Sequence, residues 1–77
     1  MTDAERLSHD PIIEGMTTDL IEAGVVPSDR DSDDWADFVF AASMEYTFRG
    51  GENVEALSER FEVAAEAVLI AYDRLTS

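Results

Sequence analysis

The chain has no cysteine and no lysine, only one histidine and two prolines, and no long apolar run. Without cysteine there can be no disulfide, no thiolate metal site and no cysteine nucleophile, and the redox compartment stays open. Without lysine, five arginines are the only strong cations. They face eighteen acids, so 77 residues carry a formal charge of −13. Such a surface repels nucleic acid and anionic membranes and attracts basic partners. No apolar stretch approaches a membrane span. The opening segment MTDAERLSHD has neither the basic n-region nor the apolar h-region of a signal peptide. A cytoplasmic location is therefore expected, in the host cell if the gene is phage-borne. His9 has no second histidine or nucleophile nearby to make a catalytic or metal site, so it reads as a surface residue beside Asp10.

What is present is enough apolar material to fold. Hydrophobic residues make up 45 % of the chain, too many for a disordered acidic tail. The length fits a single acidic helical domain, residues 1–77. A chain of this size buries only about 60–65 % of its unfolded surface, so its stability is expected to be modest or shared with a partner. The choice of arginine over lysine suggests a GC-rich coding sequence. The acidity has two readings: a haloarchaeal protein holding water in high salt, or a protein whose negative face is its working surface.

Periodicity and caps predict an all-α fold, a compact bundle of about four short helices. Thr2 and Glu5 have the spacing of a capping box, but Pro11 interrupts the helix they would open, so residues 1–10 are expected to fray. Asp10 before Pro11 is a stronger start. Ile12, Ile13, Met16, Leu20 and Ile21 then form one apolar face, and Gly24 with Pro27 closes the helix. A second helix is expected from about Asp33 to Phe48. Trp35, Phe38, Ala42 and Tyr46 share one side, and Val39, Phe40 and Met44 widen it, so this helix is predicted to be the central, most buried one. Asn53 caps a short third helix over about 54–61, and a fourth runs from about Ala65 to Leu75. The charge is uneven: residues 1–34 carry −8 and residues 35–77 carry −5.

Residues 56–75, ALSERFEVAAEAVLIAYDRL, resemble the helix-turn-helix segment of bacterial and phage regulators, giving the C-terminal half a helix-turn-helix-like character. Leu57, Ser58, Phe61, Val63, Ala67, Val68, Tyr72 and Leu75 match its core positions. The departures concern chemistry. Glu62 stands where the turn glycine is usual, and Ala64 stands at the cap. The outward positions of the second helix are expected to be Ala65, Glu66, Leu69, Ile70 and Asp73, with Arg74 the one basic residue. A DNA reader presents arginine, lysine, asparagine or glutamine there, and its affinity comes largely from neutralising phosphates. No direct nucleic-acid binding is expected.

Three groups of residues are candidates for contact. Glu52, Glu55, Glu59, Glu62 and Glu66 recur at spacings of three and four. On a continuous helix they would form a stripe of carboxylates about 5–6 Å apart, comparable to a phosphate track. Asp31, Asp33, Asp34 and Asp37, with Asp29, form a second acidic group. They fail the calcium-loop pattern: counting from Asp29, the glycine position is Asp34 and the closing glutamate position is Phe40. Leu69, Ile70 and Tyr72 with Val68 make the fourth helix apolar on more than one side, which predicts a homodimer or partner contact there. Neither a nucleophile–base pair, nor a glycine-rich phosphate loop, nor a metal constellation is present in the sequence, so neither enzyme activity nor a cofactor is expected. In type, though not by aligned residues, the chain resembles anti-CRISPR and DNA-mimic inhibitors: short, acidic and helical. The resemblance implies an inhibitor that occludes a basic nucleic-acid-handling protein. The alternative is a regulatory or dimerisation module of helix-turn-helix descent, acting through the Leu69/Ile70 face without reading DNA.

Overall fold

The computed structural model describes residues 2–51 and 62–77. Among them the fold is all-α: α1 (Asp3–Leu7), α2 (Pro11–Ala23), α3 (Trp35–Phe48) and α4 (Val63–Thr76), with no strand. The helix expected over 54–61 lies outside the described residues.

The ends of α2 are set by local chemistry. The Asp10 carboxylate accepts a hydrogen bond from the Ile12 amide at 2.8 Å, and Pro11 occupies the first turn, where its missing N–H costs nothing. Gly24 closes the helix in the left-handed region at φ 74°. There its amide donates to the Ile21 carbonyl and the Val25 amide to the Leu20 carbonyl. Gly51, just past α3, is required for a different reason. A Cβ there would overlap the Tyr46 ring, which is 1 % exposed.

One expectation is corrected by the packing. The central helix is α4 and not α3. α4 packs against α1, α2 and α3, whereas α2 and α3 scarcely touch each other. Ala64, Ala65, Ala67 and Ala71 are fully buried, and Val68 nearly so. Helix axes approach as closely as the side chains between them allow, so a face of alanines lets three helices gather round one. At the N-terminal side, Asp3–Leu7 is helical and packed on the rest of the bundle. Thr2 Oγ1 accepts from the Glu5 amide at 3.1 Å, and the short helix beyond it buries Ala4 and Leu7 against α4. The tie comes from the far end of the chain. The Arg74 guanidinium donates to the Ser8 carbonyl at 2.9 Å and reaches Ser8 Oγ and Glu14 Oε1, both at 3.3 Å. One side chain thus joins α1, the first turn of α2 and the last turn of α4.

The remaining core is Ile13 and Met16 from α2 and Val39, Ala42 and Tyr46 from α3. Its buried hydroxyls are satisfied locally: Thr17 donates to the Ile13 carbonyl at 2.8 Å and Ser43 to the Phe40 carbonyl at 3.0 Å.

Candidate functional site

The acidic ladder is only partly described. Glu52, Glu55 and Glu59 lie outside the described residues. Glu62 is the exposed N-cap of α4, and its side chain makes no capping hydrogen bond. Glu66, one turn on, is engaged within the chain. Its carboxylate meets Arg30 at 2.7 Å, and its side chain is only 29 % exposed. The helix also begins at Val63, two residues before the expected start.

The aspartate group is brought together. Ser32 Oγ accepts from the Asp34 amide at 3.0 Å, and the Asp29 carboxylate accepts from the Asp31 amide at 3.1 Å. These small turns fold residues 29–34 into the entry of α3. Asp29, Asp31, Asp33, Asp34 and Asp37 are all exposed. Asp33, Asp34 and Asp37 sit around the N-terminal end of α3, where the positive end of the helix dipole favours negative charge.

Of the apolar candidates on α4, Leu69, Ile70 and Tyr72 are half-buried, and Ala65, expected to face outward, is fully buried. Leu69 and Tyr72 line a depression with Val26, Pro27 and Arg30 of the α2–α3 connection. The α2–α3 connection thus borders this part of α4.

Val25, Val26 and Leu75 are exposed singly or as a pair, and three large exposed apolar side chains lie along α3. Phe48 is 87 % exposed, Phe40 58 % and Met44 45 %. With exposed Ala36 they recur every fourth residue along the side of the helix facing away from α4. The sequence carried the signal, since α3 is apolar around its girth. Taking that helix as central hid the meaning.

The cations complete the electrostatics. Every arginine among the described residues is engaged with the chain's own acids: Arg6 with Asp3, Arg30 with Glu66, Arg49 with Asp19 and Glu45, and Arg74 with Glu14. Arg49 bridges α2 and α3, at 2.7 Å to each carboxylate. Hydrogen bonds to Asp19 and then to Glu45 hold its guanidinium pKa above the ordinary value. The bridge lines a cavity of about 340 Å³ between α2 and α3, otherwise walled by Met16, Leu20, Phe38 and Val68. That is room for an apolar side chain. No group of three or more metal-ligating side chains occurs among the described residues, and no helix among them is long and apolar enough to cross a membrane.

In comparisons with known proteins, no family model, curated sequence or solved structure matches the chain.

Proposed function

We propose that this chain is an acidic protein-binding inhibitor whose partner is a basic nucleic-acid-handling protein, blocked by occlusion or by mimicry of its nucleic acid. The likeness in type to anti-CRISPR and DNA-mimic proteins supports the reading. The observation that carries it is the fate of the arginines. Each one described is folded back onto an acid of the same chain, Arg74 of the helix-turn-helix-like segment included. Duplex binding needs Lys and Arg free to displace counterions from phosphates. This surface instead offers exposed aspartates, which suit a Lys/Arg-lined groove. Opposed fields of this kind steer association and raise its rate.

The experiment is affinity capture with the tagged chain from nuclease-treated source-cell lysate, then competition. The captured protein is expected to bind nucleic acid, and added nucleic acid is expected to displace it from the chain. Capture of a protein with no nucleic-acid affinity, or binding that duplex and single strands fail to compete, refutes the proposal. In parallel, a gel shift of the chain alone on duplex DNA at about 150 mM salt, where the Debye length is about 8 Å, is expected to show no complex.

A further inference from the structure

α3 is apolar on opposite sides. Val39, Ala42 and Tyr46 face the core, and Phe40, Met44 and Phe48 face away from it. A helix apolar around its girth is either central or covered by something else. α4 holds the centre, so α3 lies at the periphery with a bare apolar side. Two phenylalanines and a methionine exposed to this degree present roughly 300–400 Å² of apolar side chain, a patch of the size that marks interaction sites on small proteins.

Charge selects what fits there. From Ala36 to Phe48 the only ionised side chains are Asp37 and Glu45, and Glu45 is held by Arg49. At the N-terminal end of the stripe stand Asp31, Asp33, Asp34 and Asp37, all exposed. The face is therefore an apolar strip with an acidic head. A second copy of the chain would bring the same aspartates to the contact, on a body of net charge −13. A cationic partner meets attraction at the same place.

We propose that the outer side of α3 is the anchor for a cationic amphipathic helix. Its large apolar side chains would lie on Phe40, Met44 and Phe48, and its Lys or Arg residues would reach the Asp31–Asp37 cluster. This rests on the reading of the chain as a binder of basic proteins and gives that reading its contact face. Apolar anchors at the middle of such a contact hold the complex, while the flanking charges set the rate and the partner.

The probe is a synthetic helical peptide with a leucine stripe and arginines clustered at one end, compared with a peptide of identical composition and scrambled stripe. Binding is tracked by fluorescence anisotropy at about 0.15 M salt. The wild type is expected to favour the patterned peptide by about tenfold or more. Phe40→Gln with Phe48→Gln should remove that preference and leave the melting temperature unchanged. Asp33→Asn with Asp34→Asn should weaken binding several-fold and flatten its salt dependence, while Glu22→Gln with Asp73→Asn, on other surfaces, should leave affinity unchanged. Equal binding of the scrambled peptide overturns the proposal. So does full binding by the phenylalanine variant. Unfolding of that variant would mean that the stripe is covered within the chain, and a wild-type dimer dispersed by the same substitutions would make the occupant a second copy. Either result also overturns it. The captured cellular partner separates this proposal from the broader reading. If the phenylalanine variant retains that partner and nucleic acid still competes, the anchor is wrong and the acidic-inhibitor reading stands.

Discussion

Arg74→Met tests whether the N-terminal helix belongs to the folded unit through a single long-range clamp. Methionine keeps most of the apolar stem and removes the guanidinium. Three contacts are lost, and they differ in value. The bond to the Ser8 carbonyl, at 2.9 Å, is short and charge-assisted, and Ser8 is fully buried, so its loss leaves a carbonyl without a partner. A charge-assisted bond contributes about 1.5–3 kcal/mol, and an orphaned buried group costs a similar amount. The contacts to Ser8 Oγ and Glu14, both at 3.3 Å, are weaker. The Glu14 side chain is 45 % exposed, so that ion pair contributes at most about 0.5 kcal/mol. Because the arginine is itself about a third exposed, the low end applies, and the total is about 2 kcal/mol. For a domain of this size that is a fall in melting temperature of roughly 10 °C. Circular dichroism melts of wild type, Arg74→Met, Arg74→Lys and Glu14→Gln decide the matter. Lysine should recover part of the loss, because it keeps the charge without the two-pronged geometry. Glu14→Gln should lie within about 0.5 kcal/mol of wild type. If Arg74→Met melts within 2 °C of wild type, or if Glu14→Gln costs as much, the clamp on Ser8 is not what holds α1 and the reasoning fails (both thresholds roughly the resolution of such melts).

Two further substitutions test the packing. Gly51→Ala should destabilise the fold by about 1–3 kcal/mol, because the added methyl meets the Tyr46 ring and either the turn or the ring must move; urea unfolding within about 0.5 kcal/mol of wild type would show that the turn yields freely. Leu69→Glu should cost about 1–2 kcal/mol, through lost burial beside Pro27 and Tyr72 and a third carboxylate between Glu66 and Asp73, and should leave the sedimentation coefficient unchanged. A shift from dimer to monomer with stability intact would instead place Leu69 in an association face.

What the sequence made legible was local. Asp10–Pro11 and Gly24 bound α2 as expected, because capping and the left-handed turn are decided within a few residues. What it hid was long-range. Phe40 and Phe48 outweigh any alanine on a hydropathy scale, so α3 looked more like a core helix than α4. Yet closeness of approach, and not apolar size, chose the centre, and Ala64, Ala67 and Ala71 permit it. For α1 only the Thr2–Glu5 cap was a local signal; its tie to the bundle, Arg74 on Ser8, is 66 residues distant. The pairing of Glu66 with Arg30, far away in sequence, had no local signal either. The aspartates of the α2–α3 connection were legible as an exposed acidic group because capping and solvation need no distant partner.

The position of α4 in chain order also shapes how the molecule is made. Of the four described helices it is synthesised last, yet it is the one on which the other three rest. Until residues 62–77 have left the ribosome, α1, α2 and α3 lack the helix their apolar faces pack against. Short helices are marginal alone in water, so the nascent chain has little to consolidate before α4 arrives. Folding is then a single late event, in which α1 must close a loop running nearly the length of the chain. That places this bundle among the slower helical folders, because long loops must close before their contacts stabilise anything. A message broken off before the codon for Val63 would yield a polypeptide open to proteases along its whole length, rather than a shortened but working protein.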